Sequence, residues 1–204
     1  MFGDVAWFNG KIIARPFDNP DGIVRYWDLA ASEKKISGRK RNDPDETVGT
    51  RMSYYRDRDV FCIEHQVTGH WEWADLKKII LETAKLDGAL IPIYVEQEPG
   101  AGGKNQVAEI KMFLKDEFTK EELPIPSVRE HRPEGDKVMR ANVWYAEAKE
   151  GKIFLINGTW VSGFLDQFGS FPEARHDDRI DSVSGARLCV APIRKWRKID
   201  YLAF

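Results

Sequence analysis

Near the C-terminal end of the chain, His176, Asp177, Asp178, Arg179, Ile180, Asp181, Ser182 and Val183 place three aspartates within five positions, where an apolar-periodic segment begins. A single aspartate at a helix N-terminus is ordinary, because it caps free N–H groups and meets the positive end of the helix dipole. Three exceed what capping requires. Asp178 and Asp181 are three positions apart and share a helical face, from which two carboxylates reach one hard cation. Two more acids sit at the ends of strand-like runs, Asp28 in IVRYWDLAAS and Glu96 in LIPIYVEQE. If these three places are one place, mutual repulsion makes the ionised cluster stable only when cations neutralise it. Oxygen ligands favour Mg²⁺ or Mn²⁺ over Zn²⁺. Two such ions about 3.5–4 Å apart suit phosphodiester hydrolysis, one activating water and the other stabilising the leaving oxygen. His176 is a candidate for proton transfer or coordination, set against an ordinary role as a helix cap. No Ser-His-Asp, Cys-His or zinc-type spacing competes.

The elements that must position these acids follow from periodicity. Ile23 to Ala30 is a β-rich run, and Thr47–Arg56 and Val60–Thr68 form a hairpin around Asp57-Arg58-Asp59. Their short connections predict three antiparallel neighbours. Trp73, Leu76, Ile80 and Ala84 recur at helical spacing up to the stop signal Asp87-Gly88. Leu90–Glu96 reads as a buried strand reached by a crossover, which puts Glu96 at the carboxyl end of a strand parallel to the first. Pro99–Gly103 reads as a tight loop that admits a close neighbour, and lacks the P-loop pattern. Val107, Ile110, Leu114 and Phe118 mark a helix, Ile125–His131 a strand, and Val138, Ala141, Tyr145 and Ala148 another helix. Lys152–Ile156 is then a strand, Thr159–Phe168 a helix and Asp177–Val190 the final helix. This order predicts an α/β fold with a mixed sheet covered by helices. In open α/β sheets, sites form beyond the carboxyl ends of strands, where the crossovers diverge.

With 204 residues, 42% of them hydrophobic, the chain can bury a substantial core, and its formal net charge of -2 leaves any nucleic-acid surface to local patches. Cys62 and Cys189 lack metal-ligand spacing and are expected in the core of a protein of a reducing compartment. No apolar run is long enough to span a bilayer. Basic residues cluster in the polar loop 34–46, which contains Arg39, Lys40 and Arg41, and in the tail 191–204. The expected organisation is a lead-in or linker at 1–22, a domain at 23–190 and a basic C-terminal tail at 191–204.

Five pieces together resemble the nuclease domain of the large terminase subunit of tailed bacteriophages: RYWDLAAS at 25–32, VEQEPGAGGK at 95–104, DKVMRA at 136–141, GKIFLING at 151–158 and FLDQFGSFPEARHDDRIDSVSGA at 164–186. The resemblance implies a ribonuclease H-like fold of the resolvase and integrase type. It implies an endonuclease that cuts concatemeric double-stranded viral DNA at the start and end of packaging, with Mg²⁺ or Mn²⁺ held by Asp28, Glu96 and an aspartate of the HDD segment. Asp178 is the favoured third ligand, with Asp177 and Asp181 close behind. Lys104, Lys137, Arg140 and the 34–41 loop become candidate DNA-backbone contacts. The implied partners are DNA, a packaging ATPase, a portal protein and a small terminase subunit, and the implied place is the procapsid portal in the host cytoplasm. The ATPase half with its phosphate-binding loop is not in this sequence, so no ATP hydrolysis is expected. Two other readings remain open: a Holliday-junction resolvase or transposase-like nuclease, and a DNA-binding or motor-docking module that does not cleave.

Overall fold

The computed structural model describes residues 3–30, 45–97, 101–173 and 175–191, so Arg39, Lys40, Arg41 and the tail beyond Ala191 lie outside the described residues. Seven strands, Ile12–Ile13 (β1), Gly22–Asp28 (β2), Thr47–Tyr55 (β3), Val60–Gly69 (β4), Ile93–Glu96 (β5), Val128–His131 (β6) and Ile153–Ile156 (β7), form one sheet in the order β1-β7-β4-β3-β2-β5-β6. β2, β3 and β4 are antiparallel neighbours, as their short connections predict. β5 runs parallel to both β2 and β6, and β7 runs parallel to β4 and β1.

Helices Trp73–Asp87 (α1), Ala101–Lys120 (α2), Lys137–Lys149 (α3), Val161–Ser170 (α4) and Asp178–Val190 (α5) cover the sheet. Alternation along β2 sorts its side chains between two cores. Val24 and Tyr26 pack with Trp144, Phe164, Phe168, Ile180 and Val183 of α3, α4 and α5. Trp27 packs on the opposite face with Leu76, Ile80, Ile110 and Leu114 of α1 and α2. A strand covered on both sides reads as a near-continuous apolar run rather than an alternating one, which is what Ile23–Trp27 shows with Arg25 as its one interruption. Arg25 is buried too, and its guanidinium grips Asp87 at the end of α1 through Nε and Nη2 at 2.7 and 2.8 Å. A buried Arg is tolerable only with such a partner.

Small residues let α5 lie close on β2 and β3. Ser182 Oγ donates to Thr50 Oγ1 at 2.8 Å, and a Cβ on Gly185 would fall 2.6 Å from the Tyr26 hydroxyl oxygen. At that distance the ring or the helix has to shift.

The structure adds to three expectations. The described part of the lead-in or linker segment, residues 3–22, packs on the sheet and its helices: Phe8 is buried with its ring 5.0 Å from that of Phe168, and Ile12–Ile13 extends the sheet beside β7. Apolar pieces this short carry no period, so they do not announce a core role. Gly102 and Gly103 belong to the first turn of α2, and among the described residues a Cβ at Gly102 would meet nothing within 4 Å. Strands β5 and β6 start at Ile93 and Val128, each three residues later than the apolar pattern indicates, and Leu90 is exposed rather than part of a buried strand.

Asp136 caps α3, its carboxylate accepting from Met139 N at 2.9 Å. Asp136→Ala is expected to cost about 1 kcal/mol, read as a Tm lowered by about 2–4 °C in a chain of this size. An unchanged Tm would show that this cap contributes nothing.

Candidate metal centre

Parallel pairing of β2 with β5 is registered through Trp27 against Val95, so Asp28 and Glu96 are the next residues on two adjacent strands that end at the same edge. Both stand on the face covered by α5, since each alternates with a residue of that face: Asp28 with Tyr26, and Glu96 through its hydrogen bond to Tyr26. The N-terminus of α5 brings its aspartates to this edge.

The acids of α5 do not cap it. Asp177 occupies the N-cap position without a side-chain cap hydrogen bond, and its carboxylate pairs with Lys137 Nζ of α3. Asp178 Oδ2 accepts from the backbone N–H of Glu46 at 2.9 Å. Asp181 has Arg140 Nη2 at 3.6 Å from Oδ1, a buried oxygen that has no hydrogen-bond partner among the described residues.

Electrostatics ties these groups into one pocket. Burial raises the Asp28 carboxyl well above its usual range, and the charges of Glu96, Asp181 and Asp178 raise it further against the opposing charge of Arg140. Asp181 is pushed up to about 6, first by burial and then by Asp177, with Glu96 adding and Arg140 and Lys137 opposing. Asp178 is raised mainly by burial, with Asp45 and Asp177 adding, against the Glu46 N–H and His176. Such shifts mark carboxylates forced together at a cost when no cation is between them.

Asp28 and Glu96 are therefore joined by both Asp181 and Asp178, and the two helix acids differ in their surroundings. Asp181 interacts with Asp28 and with Glu96. Asp178 interacts with Asp28 and also belongs to an outer group with Asp45 and His176, whose candidate ligand atoms lie within 4.8 Å of one another. His176 Nδ1 is 3.9 Å from Asp178 Oδ2. The donor set of carboxylates with one imidazole, the orphaned Asp181 oxygen and the mutual repulsion all fit a hard divalent cation.

Of the basic residues singled out in the sequence, Lys137 and Arg140 face the acids, pairing with Asp177 and Asp181. Burial pulls the Lys137 ammonium down, but its hydrogen bond to Asp177 and the surrounding aspartates raise it overall. Lys104 is exposed in the first turn of α2, a helix that starts five residues after the end of β5. Arg39, Lys40 and Arg41 lie outside the described residues.

Sequence reasoning missed several members of the site. Arg179 threads over α4 to Glu46, its Nε 3.1 Å from Glu46 Oε2, and so fixes the strand-entry residues 45–46 against α5. Gly163 leaves the space, since a Cβ there would overlap the guanidinium. Tyr26 and His131 stand behind Glu96. None of these carries a local signal, because each acts through a contact across tens of residues.

No family model and no curated protein matches the sequence. Among solved structures, the chain is similar to the human cytomegalovirus terminase nuclease domain, in a form soaked with Mn and bound to an inhibitor, with a TM-score of 0.65 at 13% identity over 93% of this chain and 95% of that one. The same viral domain soaked with Mn gives a TM-score of 0.64 at 14% identity, over 91% and 93% of the two chains. The P22 large terminase nuclease domain gives 0.58 at 14% identity, over 92% and 93%. The fold is thus the ribonuclease H-like fold of terminase nuclease domains, with three antiparallel strands followed by parallel ones, as the sequence led one to expect.

Proposed function

We propose that this chain is a metal-dependent endonuclease that hydrolyses phosphodiester bonds of double-stranded DNA, and that it serves genome packaging by cutting concatemeric viral DNA at the start and end of each round. The observation that carries the reading is the acidic cluster at the carboxyl ends of the paired strands β2 and β5, where half-buried Asp28 shares its field with Glu96, Asp181 and Asp178. Support comes from the fold, since domains with this architecture include terminase nucleases and one was soaked with Mn. No described helix is long and apolar enough to cross a membrane.

Asp28, Glu96, Asp181 and Asp178 would hold Mg²⁺ or Mn²⁺, two ions being within the capacity of such a donor set. When bound, these ions supply charge neutralisation and Lewis acidity toward a phosphodiester. The protein's own groups do the rest. Asp177 and Asp181 keep Lys137 and Arg140 beside the acids, so the rim of an anionic pocket presents cations to an approaching phosphate. His176, whose Nδ1 is 3.9 Å from Asp178 Oδ2, would take up or release a proton at this side of the cluster. Lys104, exposed in the first turn of α2, would be a further contact for the DNA backbone. An ATPase motor, a portal and a small terminase subunit are the partners such a role requires.

The test is direct. Supercoiled plasmid incubated with the protein is expected to become nicked and then linear in Mn²⁺ or Mg²⁺, and to stay intact when EDTA is added. Intact plasmid with every divalent ion, together with a calorimetric titration showing no Mn²⁺ binding, would refute the proposal.

A further inference from the structure

Beside Glu96 lies a short polar chain, running from buried Tyr26 to half-buried His131 on the edge strand β6, that the proposed reaction does not use. Tyr26 is fully buried, and its hydroxyl oxygen is 2.9 Å from Glu96 Oε2 and 2.9 Å from His131 Nδ1. The three residues come from three neighbouring strands: Tyr26 from β2, Glu96 from β5, and His131 from β6 at the position registered with Glu96. The Tyr26 and His131 rings meet edge to face, with centroids 5.5 Å apart.

Proton counting sets the direction of the chain. A phenol has one hydrogen to donate, and an ionised carboxylate only accepts. Tyr26 therefore donates to Glu96, and His131 Nδ1–H donates to the Tyr26 oxygen, which selects the Nδ1-protonated form of the imidazole. Burial, and then the charge of Arg140, lower the basicity of His131, in keeping with a neutral ring. The space for the phenol is provided by α5, where only a residue without a side chain at 185 leaves room for the ring. Two strands, a helix and an imidazole thus cooperate to place one hydroxyl against one carboxylate oxygen. A polar group at such depth is expensive to bury without good partners, so its placement calls for a role.

We propose that Tyr26 and His131 are positioning residues for Glu96, holding its carboxylate in a single orientation for a divalent ion. The inference rests on the nuclease reading in taking Glu96 as a metal ligand. Outer partners of this kind fix the rotation of a ligating carboxylate before the cation arrives, and their loss typically weakens metal binding or activity about 10–100-fold.

The full chain and its Tyr26→Phe, His131→Leu and His131→Asn variants are titrated calorimetrically with Mn²⁺ alone at neutral pH, and then assayed for plasmid nicking across Mn²⁺ concentrations. Thermal unfolding checks each fold. Tyr26→Phe keeps the ring that fills the core and removes one oxygen. It is expected to bind Mn²⁺ about tenfold more weakly or worse, with the half-saturating Mn²⁺ for nicking raised in parallel and the KM for DNA unchanged. His131→Leu is expected to do the same, and His131→Asn, whose amide N–H replaces the Nδ1–H, to recover most of the loss. A purely packing role would not give this split between metal affinity and KM, nor the rescue. Mn²⁺ affinity of Tyr26→Phe and His131→Leu equal to that of the parent would overturn the positioning role and leave the nuclease reading standing. A parent that binds no Mn²⁺ would overturn both. A parent that binds Mn²⁺ without cutting would count against the nuclease reading alone, and the titrations would still decide the role of Tyr26 and His131.

Discussion

Asp28→Asn is expected to abolish Mn²⁺-dependent plasmid cutting, by ~10³-fold or more, while raising the thermal stability of the metal-free protein. The two effects have one cause. Asp28 is half-buried at the end of β2, and desolvation together with the charges of Glu96, Asp181 and Asp178 makes its own charge costly unless a cation offsets it. Asparagine keeps the shape and removes the charge, and with it both the ligand and the repulsion. The sign follows from linkage. A carboxyl whose folded pKa is raised contributes stability that is fully present below its ordinary value of 3.8 and is lost as pH rises through the folded value. Above that window the parent carries the whole penalty and the variant carries none. A Tm increase is therefore expected at neutral pH, about 2–4 °C for each kcal/mol of relief, shrinking toward zero in acid. An Asp28→Asn protein that cuts like the parent would remove Asp28 from the site. One that loses cutting and also loses stability at neutral pH would show that the carboxylate is held by favourable partners rather than crowded by acids.

The architecture was legible because the sequence states its periods clearly. Leu76, Ile80 and Ala84 recur along one stripe of α1, and Val107, Ile110, Leu114 and Phe118 along one stripe of α2; all seven are buried. The β2-β3-β4 meander followed from connections too short for a crossover. The placement of Asp28 beside Glu96 followed in turn, since a crossover through α1 returns β5 parallel to β2. The limits were reached where a role depends on a neighbour far along the chain. Tyr26 reads as an ordinary strand residue, and only its distance to Glu96 and His131 gives it another meaning. Asp45 and Glu46 end a polar loop and look solvated, yet Asp45 joins His176 and Asp178, and Glu46 binds Arg179. Trp144 lies one position before Tyr145 on α3 and is buried as well, because α5 and α4 pack against a wider face than the period alone marks. Spacing put Asp178 and Asp181 on one helix face. What distinguishes them is the strand edge they meet, Asp181 toward Glu96 and Asp178 toward Glu46 and His176.

The same crowding predicts that metal and protons compete at this edge, with opposite effects of pH on the metal-free and metal-loaded protein. Asp181, raised to about 6 from an ordinary 3.8, withdraws stability as pH climbs between those values, about 3 kcal/mol for this one group. Asp28 and Asp178 shift in the same direction. Metal-free protein is thus expected to show a Tm that falls between about pH 4 and pH 7. A divalent cation binds only the ionised cluster, so its affinity runs the other way, rising with pH by about tenfold per unit for each proton it must displace. Calorimetry in buffers of different ionisation enthalpy would register those protons directly. The Mn²⁺-induced rise in Tm is accordingly expected to grow from nearly nothing in acid to its full size at neutral pH, following RT ln(1 + [L]/Kd). Asp181→Asn should shallow both slopes, because it removes a carboxyl that burial and its acidic neighbours push up to about 6. A Mn²⁺ affinity that stays flat from pH 5 to pH 8, with no protons released, would mean that the carboxylates are already ionised without the cation, and the pocket would then lack the repulsion on which the metal site is argued.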